Sequence, residues 1–197
     1  MKTLFTSKKA GFSLVEIMVA TTISVFIMAS SYATIMSLAK GSQSMINFSE
    51  MNGQTRIALE MFGRDARMAS DVTVGTSNVL TITKKVWFGS AGEYKECSIT
   101  YEYVPSAGTF SRTVVRNDVA LIIEDRVLLY DVDDLSFTYY GLINPADPYV
   151  SPTANNLLEI KHVQLEAKLQ RNVLNIDNTN YIISARFMMR NKDVSFL

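Results

Sequence analysis

The sequence predicts an α+β protein: one long N-terminal helix, membrane-spanning over its first half, packed on a domain of antiparallel β-strands. Three observations predict it. Residues 17–38 carry no charge. An apolar stripe at three- and four-residue spacing runs on through residues 40–69. Beyond residue 70, short segments alternate apolar and polar residues between turn signals.

The uncharged run is 22 residues long. At about 1.5 Å of rise per residue it makes roughly 33 Å of helix, enough to cross a hydrocarbon core of about 30 Å. The basic residues ahead of it, Lys2, Lys8 and Lys9, predict a cytoplasmic start and an external remainder. A cleaved secretory signal is the rival reading, with Ser31-Tyr32-Ala33 as a loose cleavage site. Against it, the apolar run continues through Ala33, Ile35, Met36 and Leu38. Glu16 also stands early in the hydrophobic block. A carboxylate at the centre of a membrane helix costs about 2.5–3.5 kcal/mol, less near an end, and a disposable signal has no use for one. Ser13 and Glu16 have capping-box spacing, with Ser13 as N-cap. That reading accounts for the spacing and leaves Gly11-Phe12 unexplained.

The string Lys8-Lys9-Ala10-Gly11-Phe12-Ser13-Leu14-Val15-Glu16 resembles the type IV prepilin signature. The resemblance implies cleavage after Gly11 by prepilin peptidase and methylation of the new amine on Phe12. It makes Glu16 the fifth mature residue. In a low-dielectric setting the Glu16 carboxylate neutralises the amine of Phe12, on a neighbouring subunit or its own, and so fixes axial register between subunits.

After the membrane segment, Met45, Phe48, Met51, Ala58, Phe62, Ala66 and Ala69 form the apolar stripe, expected to pack on a sheet of the same subunit. Arg56, Glu60, Arg64, Asp65 and Arg67 are placed largely off it. Gly41, Gly53 and Gly63 each weaken a helix by about 1 kcal/mol, so bends or local melting are expected at Gly41 and Gly53. Strands are expected at 79–83, 86–88, 98–104, 109–116, 126–130, 135–140, 163–169 and 181–189. The turn Pro105-Ser106-Ala107-Gly108 makes a hairpin of the third and fourth. Residues 141–156 hold Pro145, Pro148 and Pro152 and read as a long loop.

The body is loosely similar to larger minor pilins and to the J-type pseudopilin of type II secretion. Arg64-Asp65-Ala66-Arg67-Met68-Ala69 resembles their helix end, the segment from Val132 to Tyr140 their mid-domain strand, and Ala185-Arg186-Phe187-Met188-Met189-Arg190-Asn191 their last strand. The chain departs from many major pilins: no proline precedes Pro105, and a single cysteine forbids a C-terminal disulfide. Both departures point to a minor subunit. Glu16 argues against the K-type tip pseudopilin, which characteristically lacks that glutamate.

Composition closes off other chemistry. Lys+Arg and Asp+Glu are both 19, so no basic surplus points to nucleic acid, and none is expected as a partner. The lone Cys97 reads as a small buried hydrophobe and the lone His162 as a strand-start residue. One His and one Cys exclude most nucleophile–base pairs and zinc sites. No catalytic residue, metal or cofactor is expected. Asp131, Asp133 and Asp134 are oxygen donors of the kind calcium takes, but the EF-hand pattern fails and an acidic turn is the plainer reading.

The expected organisation is a leader at 1–11, a membrane or filament-core helix at 12–39, an amphipathic helix at 40–70 and a β-rich domain at 71–197. The resemblance implies a structural subunit of the bacterial inner membrane, its domain periplasmic, that initiates or caps a type II secretion pseudopilus or type IV pilus. Its expected partners are prepilin peptidase, other minor and major pilins or pseudopilins, and inner-membrane lipid. The alternative is a pilus-tip binding module, an adhesin or DNA-uptake subunit, with contacts in loop 141–157.

Overall fold

A computed structural model describes residues 11–88, 92–141, 156–171 and 179–192. It divides into two units, Met1–Ser44 and Met45–Leu197. Helix α1 (Leu14–Met68) begins in the first and ends in the second. It passes through Gly41 and Gly53 without interruption. The local melting expected at those glycines is absent: two penalties of about 1 kcal/mol do not break a helix whose neighbouring residues keep their hydrogen bonds.

In the first unit residues 11–42 are all exposed. α1 is the one helix among the described residues long and apolar enough to cross a membrane. Its hydroxyls turn inward on the backbone. Thr21 Oγ1 donates to the Met18 carbonyl at 2.9 Å, Ser24 Oγ to Ala20 at 2.7 Å, Ser31 Oγ to Ile27 at 2.8 Å and Thr34 Oγ1 to Ser30 at 2.9 Å. In hydrocarbon no water is available to these groups, so bonding back to the preceding turn makes them tolerable there.

Among its described residues the second unit carries eight strands: β1 (Asp71–Gly75), β2 (Val79–Phe88), β3 (Glu93–Val104), β4 (Thr109–Arg116), β5 (Leu121–Leu129), β6 (Val132–Tyr140), β7 (His162–Arg171) and β8 (Thr179–Met188). They form two antiparallel sheets, a five-stranded meander β1-β2-β3-β4-β5 and a three-stranded β6-β7-β8, where the sequence led us to expect one. The chain changes sheet at Tyr130-Asp131. Asp131 has a φ of 57°, in the left-handed region, which an extended strand cannot continue through. The sheets stay in contact there: Val132 N–H donates to the Gly108 carbonyl at 3.0 Å and Tyr103 Oη to the Asp133 carbonyl at 2.9 Å. Gly108 itself, at φ 60°, closes the expected β3–β4 turn.

Several strand expectations change. β3 begins at Glu93, five residues before the expected 98, and β6 at Val132, three before the expected 135. Residues 79–83 and 86–88 join into one β2, since Lys84 and Lys85 keep their ladder pairing to β3. β1 was not expected; it is five residues long with a register slip between Val72 and Val74. β5 begins at Leu121, five residues before the expected 126; residues 121–123 are exposed and show no alternation of burial that would mark them as strand.

The core lies where α1 meets both sheets. Met51, Ala58, Phe62, Ala66 and Ala69 of the stripe are buried, whereas Met45 is 76% and Phe48 47% exposed. Phe62 is the joint. It meets Tyr101 of the first sheet edge-on at 5.0 Å, Phe187 of the second edge-on at 5.4 Å, and Phe137 stacked at 5.8 Å. Next to it, a Cβ on Gly63 would stand 2.5 Å from Phe187 Cε1. The glycine that weakens the helix is the one that lets β8 close on it. Cys97 is buried, as expected. His162 opens β7, its Nδ1 3.3 Å from the Gly141 carbonyl oxygen.

Candidate functional site

Gly11, Phe12 and Ser13 precede the helix, and Leu14 begins it. Ser13 is the N-cap by its backbone: its carbonyl accepts the Ile17 N–H at 3.1 Å. Among the described residues no hydrogen bond joins its hydroxyl to the Glu16 amide, so the reciprocal capping box is not formed. Glu16 lies in the first turn, where the unpaired N–H groups favour negative charge. Phe12 is 80% exposed. Phe12, Glu16, Ile17 and Ala20 share one helix flank, an open face and not an enclosed cavity. Among the described residues Glu16 makes no ion pair. The arrangement is a solitary carboxylate at the head of an apolar helix whose surface is uncovered. Residues 1–10 of the expected leader lie outside the described residues.

The second unit holds a polar cluster of another kind. Asp65 was placed off the stripe; it is fully buried. It stands three residues after Phe62 and four before Ala69, which puts it on the packed face. That spacing was the available signal; its charge hid it. Lys84 Nζ donates to Oδ1 at 2.6 Å, and Arg112 Nε at 2.8 Å and Tyr101 Oη at 2.9 Å to Oδ2. Arg112 NH1 also donates to Glu124 Oε2 at 2.6 Å. Burial pushes the Asp65 pKa up, but the bonds and charges of Lys84 and Arg112 and the Tyr101 hydroxyl outweigh it, holding the carboxyl below its ordinary 3.8. Burial and the Asp65 carboxylate push the Tyr101 phenol far up. Each member is bonded to at least one other. The cluster clamps α1 to β2, β3 and β4.

Two acids of the turn are held in ion pairs: Asp133 meets Lys168 at 2.5 Å and Asp131 meets Arg171 at 2.7 Å. Among the described residues no three His, Cys, Asp or Glu side chains gather as metal ligands. Most of loop 141–157, the place given to a tip ligand, lies outside the described residues.

Set beside known proteins, residues 6–32 match the family model described as the prokaryotic N-terminal methylation motif. The match spans Gly11, Phe12 and Glu16 and ends inside the apolar helix. It supports a leader of the type IV prepilin kind, and with the one long apolar helix among the described residues it supports anchoring in the inner membrane. The β-rich unit lies outside it. No curated protein matches the chain.

Proposed function

We propose that the chain is a minor pilin or pseudopilin, closest to the J type of type II secretion, that initiates or caps a pseudopilus or pilus. Prepilin peptidase removes residues 1–11 and methylates the Phe12 amine. The helix holds the subunit in the inner membrane with the β-rich unit on the periplasmic side. Glu16 neutralises the amine of a neighbouring subunit and sets register. The role is structural and not enzymatic.

One observation carries this reading: a lone carboxylate, Glu16, five residues past Gly11, at the head of a helix in which residues 14–42 are exposed. Such a surface is stable only in lipid or against other helices. The test is the mass of the mature N-terminus from native membranes. N-methylated Phe12 is the expected start, and Gly11→Val should leave the leader attached. A chain that begins at Met1, or near Thr34 as a secretory signal would leave it, overturns the proposal.

A further inference from the structure

The five-stranded sheet ends on β5. Among the described residues β4 is its one neighbour, so its other edge presents free backbone donors and acceptors. The strand is also bare in its first part. Leu121, Ile122 and Ile123 are 57%, 60% and 46% exposed. Val114 faces Glu124 while Val115 faces Ile122, which leaves Ile123 as the extra residue of a bulge. Bulges and mid-strand charges discourage indiscriminate edge pairing. The contiguous aliphatic residues do the reverse, so this edge is selective and not closed.

A second copy fits it over no more than its first three residues. Side chains alternate faces along a strand, so antiparallel self-pairing about a two-fold axis keeps the faces only when the axis passes through a residue. Centred on Glu124 or Asp125, the pairing sets acid against acid; centred on Arg126, it sets guanidinium against guanidinium. Like charges directly opposite are destabilising. Centred on Ile123, it sets Leu121 against Asp125 and Ile122 against Glu124. Centred on Ile122, it matches Leu121 with Ile123, but it joins only residues 121–123 of each copy, because the strand begins at Leu121 after Ala120 at φ 50°, and it leaves Arg126 without a partner. The centre on Asp125 does bring Glu124 opposite Arg126, but Glu124 is already held by Arg112. Lipid does not fit either, because it offers an open strand edge no hydrogen bonds.

A strand of different sequence fits. Arg126 is exposed and makes no ion pair among the described residues. Asp125, also exposed, accepts a hydrogen bond from Thr113 Oγ1 at 3.1 Å. Past them a groove of about 450 Å³ opens beside β5, lined in part by Gln54, Ile57, Leu128 and Tyr130. The Gln54 Oε1 atom is buried without a hydrogen-bond partner. We infer that the free edge of β5 docks an extended segment of a different subunit by strand addition. The segment is apolar beside residues 121–123, carries an acid opposite Arg126, and places its next side chains in the groove. The inference rests on the assembly reading above but uses residues distinct from Gly11, Phe12 and Glu16.

The experiment uses the full chain in its native membranes, with a benzophenone amino acid at Ile122 and, separately, at Ile23 in the membrane helix. Cross-linked peptides are mapped by mass spectrometry. The expected Ile122 adduct joins an extended segment of another pilin-like chain. Arg126→Glu, at an exposed side chain, should lower that adduct about tenfold with the denaturation midpoint unchanged. An Ile122 adduct to a second copy, to lipid or to residues 142–155 of the same chain overturns the inference. So does a full Ile122 yield in Arg126→Glu. Subunit adducts at Ile23 with none at Ile122 sink the docking strand alone; none at either position sinks the assembly reading with it.

Discussion

Replacing Asp65 with Asn keeps the shape of the side chain and removes its charge. Asp65 is fully buried, and its partners Arg112 and Lys84 have side chains 4% and 13% exposed. Removing one partner from a buried ion pair costs about 3–5 kcal/mol. Arg112 keeps Glu124 and Lys84 has some access to water, so the lower end applies, about 3 kcal/mol. The assay is urea denaturation of the full chain in mild detergent, followed by the fluorescence of the single tryptophan, Trp87. With a slope of about 2 kcal/mol per molar urea, the midpoint should fall by roughly 1.5 M at constant slope. The sign of the pH effect follows from the lowered folded pKa. Near and below the ordinary 3.8 the unfolded chain binds more protons than the folded one, so stability rises with pH across that window. The contribution is complete above it and lost as pH falls through the folded value. The gap between wild type and variant should therefore be widest at neutral pH and close in acid. A loss under about 1 kcal/mol, the range of a surface pair, or a gap that widens in acid, would refute the clamp.

Three further outcomes are expected. Gly63→Ala gains about 1 kcal/mol of helix propensity, but the new methyl meets Phe187 at 2.5 Å and overpacking costs about 1–3 kcal/mol; a net loss should appear in the urea midpoint, and Phe187→Leu in the same chain should cost less than additivity predicts. The Cys97 thiol is buried, and burial pushes its pKa up, so maleimide should label it only in urea; labelling of the native chain at the rate of an exposed thiol would contradict the fold. Glu16→Ala should leave membrane fractionation intact and abolish cross-links between subunits through a probe at Ile23, whereas wild-type incorporation would remove the role given to Glu16.

Residues 17–38 were legible because a run of uncharged residues needs no tertiary context to be read. The same holds for the β3–β4 hairpin, where Pro105 and Gly108 are local punctuation. Asp65 was misplaced for a physical reason: a charge enters a core only when its partners do, and Lys84, Tyr101 and Arg112 are distant in sequence. The first half of β5 gave no alternation because neither of its faces is covered, and periodicity reports burial, not strandedness. The division into two sheets turned on one residue, Asp131, whose backbone conformation no hydrophobic pattern encodes. At the N-terminus, Gly11, Phe12 and Glu16 were readable as a string, but the spacing of Ser13 and Glu16 overstated the cap: the backbone forms it alone.

The contact of Phe62 and Gly63 with Phe187 also sets an order of events at the ribosome. Phe187 leaves the tunnel 125 residues after Phe62, on the order of 6 to 25 s later at ordinary rates of synthesis. For that interval the helix face bearing Met51, Phe62 and Ala66 has no second sheet to close on. The membrane span has emerged well before the strand that completes the body. Newborn chains are thus most prone to aggregate while already tethered.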